Sequence, residues 1–110
     1  MAAKRRGSKQ VVYEVNVEVD AAVHEAYRAW LRDHVAEMLA LPGFKGAKTF
    51  DVLEPPPSAG RVGLSVQYVL QDREALDDYL RDHASRMRAE GVARFGDRFV
   101  ATRRVLRGAG

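Results

Sequence analysis

Several residue types and patterns that define other classes of protein are missing from this sequence. Its 110 residues include no cysteine, so neither a disulfide nor a thiolate metal site can form. No apolar run approaches the roughly 18 residues that a membrane span requires. A chain of this length buries about two-thirds of its surface on folding, so it needs no covalent or metal crosslink. We therefore expect a soluble, cytoplasmic domain with no membrane association.

A basic surface is also missing, although the formal net charge is +3. Residues 1–10 contain four basic and no acidic residues, whereas residues 11–102 contain eleven basic and fifteen acidic ones. Because no basic face with interleaved aromatic residues is visible, we expect no nucleic-acid partner. The composition predicts a basic, disordered tail at 1–10, a single domain at 11–106 and a short C-terminal tail at 107–110.

Hydrophobic periodicity predicts a strand, a helix and a second strand in the first half of the domain. Apolar residues alternate with polar ones from Val11 to Val19, which is typical of a half-buried strand. Asp20 is the expected N-cap of a helix that ends at about Leu41, before Pro42. A second extended run covers residues 44–54 and leads into the proline-rich turn at 55–60.

The second half repeats this order. Residues 61–70 alternate again, and Asp72 is the expected N-cap of a helix that runs to about Glu90 and ends at Gly91. The apolar stripe predicted for this helix includes Leu80. A β-rich run at 99–106 closes the domain.

The two halves match at a fixed offset of 49 residues. Leu31-Arg-Asp-His34 recurs as Leu80-Arg-Asp-His83, and Val15 and Val17 align with Leu64 and Val66. At the same offset Phe50 aligns with Phe99, and we expect both rings to face the helices. The order βαββαβ with this internal symmetry predicts an α+β, ferredoxin-like fold: a four-stranded antiparallel sheet with two helices on one face.

The sheet face opposite the helices is predicted to mix polar and apolar side chains. Thr49, Asp51 and Leu53 are expected there from the second strand. The candidate ligand-binding residues on this face are Glu14, Asn16, Glu18, Gln67 and Arg104. Pairing two such sheets would cover the face and give a homodimeric α/β barrel with a polar cavity between the sheets. The alternative is an open sheet with its charges solvated.

His34 and His83 are the candidates for proton transfer. Each lies one turn after a leucine of its helical stripe, where it could be a general base, a metal ligand or a structural residue at the margin of the core. Their equivalent positions in the repeat favour the structural interpretation. We expect no metal site.

Other catalytic patterns are missing. Glu14 and Glu18 lie on one strand face about 13 Å apart, which exceeds the spacing of a glycosidase pair. No glycine-rich phosphate loop and no serine nucleophile with a histidine–aspartate pair is visible. The sequence therefore predicts no catalytic set and no cofactor.

The segments at 13–20 and 27–34, with Leu41-Pro-Gly-Phe44 and Arg94-Phe-Gly96, resemble an uncharacterised bacterial family of small domains of unknown function. The resemblance spans about residues 11–106 and implies a dimeric α/β barrel. That superfamily includes cofactor-independent monooxygenases and small-molecule binders, so the fold alone assigns no activity.

Two hypotheses for the function follow. The first is a homodimeric domain that binds a small polar or aromatic ligand between paired sheets. The second is a cofactor-independent monooxygenase- or isomerase-like enzyme that acts on a small metabolite.

Overall fold

Four antiparallel strands form one sheet in the computed structural model, which describes residues 9–109. The strands are β1 (Val11–Asp20), β2 (Phe44–Asp51), β3 (Arg61–Leu70) and β4 (Phe99–Arg107), in the spatial order β2-β3-β1-β4. The helices are α1 (His24–Leu39), α2 (Arg73–Asp82) and α3 (Ala84–Phe95), with 3-10 turns at Ala21–Val23 and Gly96–Arg98. The predicted ferredoxin-like βαββαβ fold is confirmed. Residues 1–8 of the predicted tail, and Gly110, lie outside the described residues.

The alternation in the two central strands builds the core. Residues that pair directly across β1 and β3, such as Val17 with Leu64, share a face, and the helices pack on that face. Side chains that are almost completely buried there come from both layers: Val11, Val19, Leu64, Leu70, Leu76 and Met87. Among the described residues, no helix is long and apolar enough to cross a membrane.

A β-bulge in β2 changes the face on which Phe50 lies. Phe44 pairs with Leu70 and Gly46 with Val69, so Lys45 is an extra residue that reverses the alternation after it. Phe50 therefore pairs with Ser65 on the uncovered face, where it is 43% exposed. The expectation that it faces the helices was wrong.

The same bulge reverses the other residues predicted for β2. Thr49 pairs with Val66 and Asp51 with Leu64, so both lie on the helix side of the sheet. There Asp51 forms an ion pair with Arg28 of α1. The prediction that they line the uncovered face was therefore wrong.

The two helical segments begin differently. Asp72 caps α2, because its Oδ1 accepts a hydrogen bond from the backbone N–H of Ala75 at 2.8 Å. Asp20 makes no such bond, and its carboxylate instead pairs with Arg98 at 2.8 Å and Arg61 at 3.3 Å. A 3-10 turn separates Asp20 from α1, which corrects its predicted role as an N-cap.

The second helical segment is broken where one continuous helix was expected. α2 ends at Asp82, His83 adopts a non-helical backbone, and α3 continues past Gly91 to Phe95. Leu80, three residues before the break, is 37% exposed, although it was predicted to belong to the apolar stripe. Gly91 lies within α3, so it does not end the helix as predicted.

Candidate functional site

A cavity of about 340 Å³ lies between the helices and the sheet. We call it the helix-side cavity. Six aromatic rings from both layers contribute to its wall: Tyr13, Tyr27, Trp30, Tyr68, Tyr79 and Phe99. Its polar lining residues are His34, Arg88 and Arg103. An apolar cavity with a few convergent polar groups is the usual form of a small-molecule site.

The lack of a side chain at Gly91 of α3 keeps this cavity open. A Cβ atom at Gly91 would lie 3.1 Å from Cη2 of Trp30 and 3.4 Å from Cζ of Phe99. The indole can therefore lie against the helix backbone, and Gly91 itself lines the cavity. Any larger residue at this position would displace the rings or fill the space between them.

Burial keeps Tyr27, Tyr68 and Tyr79 of the cavity in their protonated form. Burial raises the pKa of both Tyr27 and Tyr79 to about 12, and Arg103 partly opposes this shift at both rings. Burial also raises the pKa of Tyr68 well above its usual value. At neutral pH these phenols are therefore hydrogen-bond donors as well as acceptors.

Two arginines supply positive charge to the cavity wall. Arg88 of α3 donates a hydrogen bond from Nη2 to the hydroxyl of Tyr13 at 2.9 Å, which links the helix layer to the sheet. Arg103 lies in β4 opposite Val15, on the helix side of the sheet. Beside buried aromatic rings, two guanidinium groups favour an anionic or oxygen-rich ligand.

His34 lies at the wall of the cavity on α1. Its ring stacks on Trp30 with the centroids 4.6 Å apart and an angle of 20° between the planes. Burial lowers the pKa of His34, and the carboxylate of Glu90 partly opposes that shift. Nδ1 is buried and has no hydrogen-bond partner in the described part of the chain.

His83 lies elsewhere. It forms the junction between α2 and α3, where its backbone N–H donates to the carbonyl of Tyr79 at 2.9 Å. Its Nδ1 is 2.9 Å from Nη2 of Arg86, and the residue does not line the helix-side cavity. The structure therefore does not bring His34 and His83 together, and their proposed proton transfer stays a prediction.

Four of the five candidate ligand-binding residues meet on the uncovered face. Oε1 of Glu14 accepts hydrogen bonds from Arg104 Nε at 2.8 Å and Asn16 Nδ2 at 2.9 Å, and Oε2 accepts one from Gln67 Nε2 at 3.0 Å. Glu14 is only 4% exposed. The hydrogen bond from Arg104 is the main reason that its pKa falls to about 2. These side chains satisfy one another, so their role as ligand contacts stays a prediction.

Glu18 lies outside this cluster. Its Oε1 accepts a hydrogen bond from the backbone N–H of Ser58 at 3.2 Å, which ties the proline-rich turn to β1. A groove of about 540 Å³ runs beneath the turn, and Asn16, Glu18 and Thr102 contribute to its lining. Two of the predicted ligand contacts thus border a concave surface on the uncovered face.

The sequence did not predict the helix-side cavity, because its aromatic residues follow helical and strand periodicity. The helical spacing of Tyr27, Trp30 and Tyr79 is typical of core residues, and two of the three are buried. One available signal was Arg103, which lies two residues after the inward-facing Ala101 in β4 and therefore shares its face on the helix side.

Solved structures share this fold at low sequence identity. A conserved protein from Methanosarcina mazei Go1 has 15% identity and a TM-score of 0.70, with 96% of this chain and 99% of that chain covered. SnoaB, a cofactor-independent oxygenase from Streptomyces nogalater, has 14% identity and a TM-score of 0.64 over 93% and 95% of the chains. The de novo designed protein Foldit4 has 13% identity and a TM-score of 0.58 over 92% and 100%. Because a designed protein adopts it, the fold by itself carries no function.

Sequence comparison identifies the family. No curated protein has a significant match to this chain. The profile described as a domain of unknown function, DUF4286, matches residues 10–109, which is nearly the whole chain. This chain therefore belongs to the DUF4286 family.

Proposed function

We propose that this protein binds a small aromatic anion in the helix-side cavity. The observation that carries the proposal is the combination of aromatic walls with Arg88 and Arg103 around about 340 Å³ of space. That volume lies at the lower end of the range for small-molecule sites, which favours a ligand of one or two rings.

The protonation states in the cavity fit such a ligand. Tyr27 and Tyr79 can donate hydrogen bonds to carboxylate, phenolate or carbonyl oxygens because both stay protonated at neutral pH. The lowered pKa of His34 favours a neutral imidazole there. The positive charge that would hold an anion therefore comes from the arginines, while the rings supply stacking surface.

A fluorescence titration tests this proposal, because Trp30 is the only tryptophan in the chain and lines the cavity. The probe is 1-hydroxy-2-naphthoate, with naphthalene and cyclohexanecarboxylate as the neutral and non-aromatic comparisons. We expect saturable quenching by the probe alone. Arg103→Gln should weaken that binding at least tenfold, because it removes one guanidinium.

Two variants serve as controls. Arg81→Gln changes an exposed arginine that pairs with Asp78 and Asp82, so the affinity should not change. Gly91→Leu places a side chain between Trp30 and Phe99 and should abolish binding, with circular dichroism confirming the fold. Equal affinity for all three compounds, or full binding by Gly91→Leu, would contradict the proposal.

We also propose a homodimer formed by pairing the uncovered sheet faces. Phe50 and Val100 are 43% and 50% exposed on this face, and the buried Glu14 there is already neutralised by Arg104. Pairing two such faces would bury these apolar side chains, and the charge of Glu14 would already have its partner. The cytoplasmic location and bacterial origin expected from the sequence stay predictions.

Light scattering coupled to size-exclusion chromatography tests the dimer at micromolar concentration. We expect the dimer mass for the full chain and the monomer mass for Val100→Glu, which places a charge in the apolar part of the face. Val92→Glu is the matched control, since Val92 is exposed on α3 instead. A monomeric full chain would exclude the paired-sheet arrangement.

An oxygenase that needs no cofactor is the second candidate. It is favoured by the likeness to SnoaB together with a cavity that combines protonated phenols and an imidazole. Oxygen uptake with the same naphthoate probe distinguishes the two functions. Uptake above the protein-free rate that disappears in Gly91→Leu would support the enzyme, whereas saturable binding without uptake would support the binding protein.

A further inference from the structure

Three potential metal ligands from two helices lie together at the outer side of His34. His34 and Glu37 are three residues apart on α1, so they share one face of the helix, and Glu90 approaches from α3. One potential ligand atom from each residue lies within 4.8 Å of the other two. This is the one such cluster of three or more histidine, aspartate or glutamate side chains within residues 9–109.

The imidazole nitrogen that faces this cluster has no hydrogen-bond partner among residues 9–109. Nδ1 of His34 is buried, and the nearest carboxylate oxygen, Oε1 of Glu90, is 3.7 Å away, which is too far for a hydrogen bond. The side chain of His34 is only 13% exposed, so water has little access to the ring. A buried nitrogen in this position lacks the bond that it would normally make.

In the described part of the chain, no lysine or arginine forms a salt bridge with either carboxylate, and the one ion pair is between His34 and Glu90. One carboxylate oxygen of Glu37 lies within 4.8 Å of one of Glu90, so the like charges of the two groups repel each other. The fold therefore holds two carboxylates close together at the same place as an unbonded imidazole nitrogen.

We propose that His34, Glu37 and Glu90 bind a divalent transition-metal ion of the Zn²⁺ type, bridging α1 and α3. An imidazole and two carboxylates form a mixed nitrogen–oxygen set of the kind that zinc accepts. Ligands about 2.0–2.1 Å from the ion lie roughly 3.3 Å apart in a tetrahedron. Because Glu37 and Glu90 are on the surface, small rotations of their side chains can close the present separation.

Three protein ligands leave one tetrahedral position open, which is the arrangement of zinc sites that also bind water or a small molecule. The ion would lie beside the stacked His34–Trp30 pair at the wall of the helix-side cavity. This inference departs from the sequence-based expectation of no metal site. It does not depend on the proposed aromatic ligand.

Calorimetric titration of the full chain with Zn²⁺ tests the site, with Mg²⁺ as the comparison. We expect one Zn²⁺ per chain with micromolar affinity and no binding of Mg²⁺, which prefers oxygen ligands and retains its water. A saturating excess of Zn²⁺ should raise the melting temperature by about 10 °C, since the ion binds the folded state. Zn²⁺ should also change the fluorescence of Trp30, because the indole stacks on the liganding imidazole.

Substitutions separate the site from adventitious binding. His34→Gln should abolish the Zn²⁺-induced shift, whereas His83→Gln and His24→Gln should retain it, because neither residue belongs to the cluster. Glu37→Gln should change the melting temperature in opposite directions under the two conditions. Without metal it removes one of two like charges that lie close together and stabilises the fold, and with Zn²⁺ it removes a ligand and lowers the melting temperature.

Each outcome bears on the proposal. No saturable Zn²⁺ binding up to millimolar concentration would overturn it. So would binding that survives in His34→Gln, or equal binding of Mg²⁺, since a site made of carboxylates alone would behave in that way. If His34→Gln does not fold, the sign reversal in Glu37→Gln decides the question, because Glu37 is exposed.

Discussion

The two halves of this domain carry the same tetrapeptide and use it differently. Leu31-Arg-Asp-His34 lies inside the uninterrupted helix α1, whereas Leu80-Arg-Asp-His83 ends α2. Leu31 is 7% exposed and Leu80 is 37% exposed, although both follow an aromatic residue in the sequence. Identical local sequence thus gives a core residue in one half and a partly exposed residue in the other.

The difference between the two histidines shows what the helix break does. His34 stays on the buried side of α1 and faces Glu90 of α3. His83 leaves the helical conformation, and its imidazole meets Arg86, one turn along its own segment. Packing against a second helix, which local sequence does not encode, therefore decides which histidine enters a chemically useful environment.

The largest effect that we expect in this comparison is at the matched leucines. Leu31→Ala should lower the free energy of unfolding by about 2–4 kcal/mol, because it leaves a cavity in the core. Leu80→Ala should cost less than about 1 kcal/mol, since much of that side chain is already in water. Urea denaturation of both variants measures the difference. Equal losses would mean that the halves are packed alike, contrary to the structure.

We expect a smaller effect on stability at Glu14. The second half has no matching carboxylate, because Gly63 occupies the equivalent position in the repeat. The pKa of Glu14 is lowered from 4.5 to about 2, so the folded state favours the ionised form. Its contribution to stability is complete above pH 4.5 and is lost as the pH falls toward 2. Glu14→Gln should lower the free energy of unfolding by about 1.5–3 kcal/mol at neutral pH. The variant should also lose less stability than the original chain as the pH falls from 4.5 to about 2.

Denaturation curves between pH 2 and pH 7 test this expectation. Glu18→Gln is the matched control, because it removes a carboxylate from the same face of β1 without touching Arg104. A Glu14→Gln protein with the same acid dependence as the original chain would show that the hydrogen-bonded cluster does not stabilise the fold.

The smallest effect separates the beginnings of the two helical segments. Asp72→Ala should cost about 1 kcal/mol, because it removes the N-cap bond to Ala75. Asp20→Ala should cost less than that, since it removes only partly exposed ion pairs with Arg61 and Arg98. Thermal unfolding in low and high salt distinguishes the two, because the loss at Asp20 should shrink more than the loss at Asp72 as salt is added.

Most of the fold could be predicted because strand alternation and the internal repeat are properties of the sequence alone. β1 and β3 alternate without interruption, and their pairing places Val15 beside Val66, on the same face. The prediction for the face of Phe50 was wrong because Lys45 is an extra residue that forms a bulge in β2. The pattern of apolar and polar residues in β2 does not indicate this bulge. The prediction that Gly91 ends its helix was wrong. Glycine ends many helices, but here it lies within α3 and allows Trp30 to approach the helix.

The candidate site was less predictable than the fold. Glu14, Asn16, Gln67 and Arg104 were correctly placed together, because residues that pair across antiparallel strands must share a face. To predict the helix-side cavity, one needs the distance between α3 and the sheet, which sequence patterns do not contain. The proximity of Glu90 to His34 could not be predicted from the sequence either, because it depends on how two helices pack.

The sequence by itself determined the order of the elements, the face of each central strand and the absence of cysteine chemistry, because these depend on local periodicity and composition. The tertiary structure decided where space remains between the layers and which charged groups meet. Those properties depend on the break at His83, the bulge at Lys45 and the missing side chain at Gly91. Each is a small local departure whose consequence appears only when the helices pack on the sheet.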